Sequence, residues 1–439
     1  MTSALDPTPL LPMLRRLADQ LLVGELPVVA LVRQPVDAPR LDPVEPAVQA
    51  EMARLLSSLD RRPGPIAVGV GSRGIANLEP IVRAVVAELR SAGWQPFIVP
   101  AMGSHGAASA EGQAAVLAGY GITEERVGAP VRATMETRVV GELDGVPYHV
   151  DRHAVDAGAL FLVARVKPHT SFHGPVESGP AKMCAIGIGK QPGAALVHNQ
   201  GGPGLTRRVP LAPRVAERAG LLVGALAIVE NQRDETALVR ALPASEVGAE
   251  AESELLDTAR RLMPRLPFEE VDVLVVDRMG KDISGTGMDT NVINRFRIVD
   301  LPESGTPFVR AVAVMDLSAA THGNAMGIGN ADFVPARLLA KVDLESVYTN
   351  SVTAGPIAIE RPKIPMVLAS GRDAIRAAVT MTGRTAADVR LAWIHDTLHT
   401  EVLAASPALL AAASGLEVLR EPMPLPFDAE GELKPLLQD

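Results

Sequence analysis

The stretch PIAVGVGSRGIANLEPIVRAVVAELRSAGWQPFIVPAMGSHG occupies residues 65–106 and decides the fold class. Its first seven residues form a short, β-branched run that ends on glycine, the composition of a buried strand. In the next eighteen, Ile81, Val82, Val85, Val86 and Leu89 recur at helical spacing. Gly93 stands just past the last of them, where a helix C-terminal cap belongs. A second short apolar run, QPFIVPA, follows at once. Strand, helix and strand in this order form a βαβ unit, which implies a buried and mostly parallel sheet.

Working outward, GALFLVARVKP (158–168) and AGLLVGALAIV (219–229) read as further buried strands. The helical segment SELLDTARRLM is followed by LMPRLPFEEV (262–271), which carries two prolines, and then by a fresh strand, VDVLVVDR. This predicts an α/β protein of two domains, 1–267 and 268–439, the last segment packing back on the first domain.

The bulk numbers agree with an enzyme-sized globular chain. Its 439 residues exceed one ordinary core. The 47% hydrophobic content supports a large interior, filled by aliphatic residues because only 3% are aromatic. A net charge of −9 argues against a nucleic-acid partner but not against a small anionic substrate in a local basic pocket. The single cysteine, Cys184, excludes an internal disulfide and any cysteine-based zinc cluster, and fits a cytoplasmic location. The longest apolar run is too short to span a bilayer, so no membrane partner is expected. A homo-oligomer is compatible with the sequence.

Open α/β sheets bind ligands beyond the carboxyl ends of their strands. Four loops of the first domain are expected there. GSRGIAN holds Ser72 and Arg73 at a glycine-rich turn opening a helix, a place suited to an anion. The alternative is an ordinary turn with a solvated arginine. MGSHGAAS holds His105, suited to acid–base work near neutral pH, or incidental to a loop that Ser104 or Ser109 caps. ENQRDET follows the strand at 219–229. The fourth loop, KPHTSFHGPVESGPAKMCAIGIGKQPGAALVH (167–198), gathers three histidines, three lysines and five glycines. That mixture is poor material for a helix or strand interior. Ser178 and Gly179 read there as a tight turn before Lys182. In the second domain GKDISGTGMDTNVINR (280–295) places Lys281 and Arg295 after a strand, as carboxylate ligands or as parts of a mobile loop. His395 and His399 lack the pattern of a metal site.

Taken together, these loops resemble the nickel-pincer-nucleotide-dependent lactate racemase family of α-hydroxyacid racemases and epimerases. The resemblance rests on Arg73 in GSRG, His105 in MGSHG, His169 in KPHT, and the interval from Lys182 to His198. GKDISGTGMD, THGNAMGIGNADF and YTNSVTAG resemble loops of a divergent branch of that family. The resemblance implies two α/β domains with an interdomain active-site cleft. It implies a cofactor, the nickel complex of pyridinium-3,5-bisthiocarboxylic acid mononucleotide, that takes hydride from C2 of an α-hydroxy carboxylate and returns it.

In that reading His198 ligates nickel, and Lys182 contacts the cofactor or is joined to it through a thioamide. Ser72, Arg73, Ser178 and Gly179 line the cofactor. His105 and His169 are the acid–base pair, and Arg73, Lys281 and Arg295 hold the substrate carboxylate. The interval from His169 to Lys182 is longer than in typical members, and GPVESGPAK is less glycine-rich, which leaves His173 as an alternative base. Two other readings of the same residues are a zinc hydrolase with His105, His169 and His198 on the metal, and a non-catalytic nucleotide- or anion-binding protein.

Overall fold

The computed structural model describes residues 5–22, 24–71, 74–299, 301, 303 and 305–435. Its chain forms two compact units, one of residues 37–263 and one that joins residues 1–36 to residues 264–439. The first strand, β1 (Val28–Arg33), therefore belongs with the C-terminal half of the chain.

In the 37–263 unit the strands are β2 (Pro65–Val70), β3 (Gln95–Pro100), β4 (Thr137–Leu143), β5 (Val146–Asp151), β6 (Leu160–Arg165), β7 (Leu222–Glu230) and β8 (Thr236–Pro243). Five of them form one sheet in the order β3-β2-β6-β7-β8. β2 is parallel to β3 and β6, β6 is parallel to β7, and only β8 runs antiparallel. β4 and β5 form a separate hairpin.

The expected βαβ unit is present. The helix Leu78–Ser91 buries Ile81, Val82, Val85, Val86 and Leu89, the residues its periodicity singled out. Gly93 follows it at φ +87°, the left-handed conformation that favours glycine at a helix end. Side chains alternate across the sheet. Ile66, Val68, Phe161 and Val163 pack with the helix Leu78–Ser91 on one face. Ala67, Leu160 and Leu162 pack on the other face with Ala181, Cys184, Leu205, Leu255 and Leu256. Two apolar faces explain why these strands read as continuous hydrophobic runs.

The other unit adds β9 (Glu270–Met279), β10 (Phe308–Leu317), β11 (Phe333–Pro335), β12 (Met366–Leu368), β13 (Leu391–Ile394), β14 (Val402–Ala405) and β15 (Glu417–Pro424). They and β1 form an eight-stranded sheet in the order β12-β11-β10-β9-β13-β14-β1-β15. The strands from β9 to β13 are parallel, whereas β14, β1 and β15 pair antiparallel. This differs from the expected domain limits at both chain ends. β1 supplies the ladder between β14 and β15, so the N-terminal segment lies in the second sheet, and β15 pairs in that sheet too. Residues β-branched enough to form a strand do not say which sheet will take them. Among the described residues, no helix is long and apolar enough to cross a membrane.

If β1 completes this sheet, residues 264–439 expressed without residues 1–36 leave β14 and β15 with unpaired backbone groups. The truncated chain is expected to aggregate or melt without cooperativity in circular dichroism, whereas addition of a 24–36 peptide restores a cooperative transition. A sharp unaided transition would show that β1 is dispensable.

Candidate functional site

The carboxyl ends of β2, β3, β6 and β7 gather the loops expected to carry chemistry. Arg165, the last residue of β6, hydrogen-bonds the Gly74 carbonyl at 2.9 Å and pairs with Glu230 at the end of β7. Glu230 in turn accepts from the Ala76 N–H at 2.7 Å. The loop after β2 is thus tied to β6 and β7 on its far side. Ser72 and Arg73, the expected anion site, lie outside the described residues.

The segment 167–198 has two parts. Its first half is a loop closed at the neck by paired backbone hydrogen bonds between Lys167 and Ser178, 3.1 and 3.2 Å. Inside the loop lies the Glu177 side chain, wholly buried. Its oxygens accept from the backbone N–H groups of His169 (2.6 Å) and Gly174 (3.3 Å). They also pair with His173 Nδ1 (3.3 Å) and Arg260 Nη2 (2.7 Å). Burial of a carboxylate is costly unless donors surround it, and here the loop's own backbone does so.

Within this cage the His169 ring lies 4.6 Å from the Phe172 ring, centroid to centroid. Its Nδ1 accepts the Ser171 N–H at 3.0 Å. A neutral imidazole so held carries its proton on Nε2. His173, the alternative base, is more exposed and directed to Glu177.

The second half departs from expectation, because it is helical. Ser178 and Gly179 make no tight turn: Ser178 closes the neck, and Gly179 is extended at φ 160°. A short helix, Pro180–Lys182, continues as a π-turn, Met183–Gly187, and then as the helix Lys190–His198. Pro180 starts it at a position where no N–H is needed. The glycines serve close packing rather than disorder. A Cβ on Gly187 would fall 2.6 Å from the Ala101 carbonyl oxygen, and one on Gly179 would fall 2.4 Å from Glu252 Oε1. The loop after β3 rests on this helix, with the Gly103 N–H donating to the Gly187 carbonyl at 3.0 Å.

His198 is therefore the last residue of a helix, not a loop residue. Its Nδ1 bonds the Ala194 carbonyl at 2.7 Å. Because a carbonyl only accepts, Nδ1 is the protonated nitrogen and the lone pair is on Nε2. Burial pushes the imidazole below its ordinary pKa, against the Ala194 bond, and the nearby Lys182 cation lowers it further. His105 stands exposed at the start of a short 3-10 turn after β3. Ser109 caps the following helix Ala110–Gly119 by accepting the Gly112 N–H at 3.0 Å.

Arg295, expected to hold a substrate carboxylate, is withdrawn from any such role. It is buried, its guanidinium pairs with Asp332 at 2.5 Å, and it donates to the carbonyls of Asn330, Val309 and Arg310. These four bonds from Nη1 and Nη2 stitch the 330–332 loop to β10. Lys281, in the same unit, turns its ammonium onto the Gly285 carbonyl at 2.7 Å. Among the described residues, no three or more His, Cys, Asp or Glu side chains are grouped so that they could hold a metal ion. A zinc site of His105, His169 and His198 has no support in that arrangement.

The sequence reading passed over Glu177, Arg260, Glu252, Gln113 and Lys190. Glu252 is buried beneath the Lys182 segment and accepts the N–H groups of Ala181 (3.0 Å) and Gly248 (2.7 Å). Burial pushes its carboxyl up to about 7, against the two N–H donors. The one available signal was an isolated acid inside a histidine- and glycine-rich loop or an amphipathic helix, which by itself says nothing of burial.

No protein-family profile matches this chain, and no curated protein matches it in sequence. Among solved structures it is similar to the lactate racemase apoprotein from Thermoanaerobacterium thermosaccharolyticum. The identity is 11% and the TM-score 0.42, over 78% of this chain and 98% of that one, a distant structural relationship.

Two outcomes follow for the acids under the loops. Glu177→Ala leaves the His169 and Gly174 N–H groups without that acceptor, and leaves Arg260 with Asp257 alone. It is expected to cost ~2 kcal/mol or more in urea unfolding, with faster amide exchange in 169–177. For Glu252, the folded pKa of about 7 lies above the ordinary 4.5. The folded state therefore holds the proton more tightly, and this stabilisation is complete below pH ~4.5 and lost as pH rises through ~7. Thermal melts from pH 5 to 8 are expected to fall more steeply for the wild type than for Glu252→Gln. Parallel curves would show that Glu252 does not titrate there.

Proposed function

We propose that the chain is a racemase or epimerase that inverts C2 of an α-hydroxy carboxylate by reversible hydride transfer, with a nickel-pincer nucleotide held in the 37–263 unit. The observation that supports this reading most is the His198 ring. Its Nδ1–H is committed to Ala194 and burial keeps it neutral, so Nε2 is left as an imidazole donor of the kind that suits nickel.

The rest of the donor set points the same way. Cys184, the chain's one thiol, is buried, bonded to the Tyr148 hydroxyl at 2.9 Å, and pushed up to about 12 by burial. It is no thiolate ligand at neutral pH. With one histidine and no thiolate, the soft donors of this reading arrive with the organic group, as two sulfur arms. When bound, such a nucleotide supplies reversible acceptance of the C2 hydrogen as hydride.

The chain's own residues manage the hydroxyl proton. Hydride departure from C2 is easier when a base takes that proton at the same time, and its return needs an acid at the same oxygen. His105 and His169 serve the two faces. His169, neutral with Nδ1 on the Ser171 N–H, carries its one ring proton at Nε2, and it returns a proton to substrate only as the imidazolium, with both ring nitrogens protonated and the Ser171 N–H released. To act as base it exchanges tautomer and releases the Ser171 N–H. Lys182, at the end of the short helix over Glu252, holds the nucleotide, by contact or through a thioamide, with Ser178 and Gly179 alongside. Arg73 grips its phosphate or the substrate carboxylate.

The mechanism is read from hydrogen at C2. Holoprotein turning over a 2-hydroxy acid in D₂O is expected to give inverted product with little deuterium at C2, and C2-deuterated substrate is expected to keep its label. Near-stoichiometric solvent deuterium at C2 would mean proton abstraction and overturn the hydride mechanism.

Metal retention tests the ligand. His198→Ala is expected to lose nickel and the visible absorbance of the bound group while its thermal melt stays close to wild type. Full nickel content in that variant would remove His198 from the metal.

A further inference from the structure

Lys190 is fully buried and sits at φ +54°, in the left-handed region that a lysine enters only against steric cost. Glycine or asparagine would suit that backbone better. Its ammonium donates to the Pro100 carbonyl at the end of β3 and to Gln113 Oε1 at 3.3 Å, and it forms an ion pair with Asp151 Oδ2 at 2.9 Å. Asp151 is itself buried, and its other oxygen caps the helix Arg152–Ala157 by accepting the His153 N–H at 2.8 Å.

Gln113 transmits the contact. It too is fully buried, on the helix that follows the His105 loop. Its amide oxygen faces the ammonium, so its NH₂ is turned to the loop and donates to the carbonyls of Gly103 (2.8 Å) and His105 (3.2 Å). A flipped amide would set NH₂ against the ammonium and an oxygen against two carbonyls. The lysine therefore determines which way the glutamine points, and the glutamine determines where the His105 backbone is held.

We propose that Lys190 is a positioning residue for His105. Its buried ammonium pins the end of β3 directly and fixes the Gln113 amide in the one orientation that anchors the exposed acid–base loop. This inference rests on the acid–base role proposed for His105.

Two full-length variants test it. Lys190→Met removes the ammonium but leaves Asp151 without its partner, so it is liable to misfold. Gln113→Glu is the cleaner probe. Its carboxyl group keeps an acceptor on Lys190, at the cost of a second buried acid beside Asp151, and it removes the NH₂ donor that holds the Gly103 and His105 carbonyls. Amide exchange by mass spectrometry is expected to rise ~10-fold or more in residues 102–109 of folded Gln113→Glu, with little change elsewhere. In holoprotein, kcat for inversion of a 2-hydroxy acid is expected to fall ~10-fold or more, as for a misplaced catalytic group, with KM within about twofold. Folded Gln113→Glu with wild-type exchange and wild-type kcat would overturn the proposal, and so would a uniform rise in exchange across the unit. If wild-type holoprotein inverts no 2-hydroxy acid, the racemase reading falls, and the exchange measurement alone decides whether the Lys190–Gln113 pair holds the loop.

Discussion

A carboxylate buried without donors is unstable, and the Glu177 side chain shows what a chain must do to keep one. It draws in two backbone N–H groups of its own loop, the His173 ring and the Arg260 guanidinium. The loop 167–178 buries Phe172 and Val176 in the core. It holds its shape because its polar backbone is turned inward on one charge and closed by the Lys167–Ser178 neck. The His169 tautomer follows from that shape, since Ser171 N–H can reach Nδ1 only while the cage is intact. The acid–base character assigned to His169 is in this sense a property of Glu177.

The same device recurs along this edge of the sheet. Glu252 holds the Ala181 N–H beneath the Lys182 segment, Glu230 holds the Ala76 N–H, and Lys190 holds the Gln113 amide beneath the His105 loop. Each functional loop is supported by a largely buried ionisable side chain that accepts or donates to backbone or amide groups. Buried charges are stabilised only in one geometry, whereas apolar packing tolerates several. A site that has to place proton donors to within a fraction of an ångström gains from supports that fail when displaced.

The sheet itself is ordinary and supplies the common frame. Parallel strands end together, so loops far apart in sequence emerge side by side. The π-turn at Met183–Gly187 lets the helix that carries Lys182 approach the β3 loop closely, and the small residues Gly103, Gly187 and Ala194 make the contact possible.

The 65–106 stretch was legible because its information is local. Short apolar runs, the 3.6-residue period and Gly93 act within a few neighbours, so βαβ order, the buried helix face and the C-terminal cap followed from the sequence alone. The positions of His105 and His169 on loops past strand ends were legible for the same reason, whereas Lys182 and His198 lie in helices that the glycine-rich sequence did not suggest. What the sequence could not decide was which distant groups meet. Lys190 and Gln113 are 77 residues apart and Glu177 and Arg260 are 83 apart. β1 pairs with β14 and β15 from the other end of the chain. Arg295 looked like a free cation in a glycine-rich loop until Asp332 and three carbonyls were found around it. Charge and strand propensity are properties of a residue, but burial and partnership are properties of the folded chain. Whether a given lysine is a solvated tail or the buried support of a histidine loop is set only when the sheet closes around it.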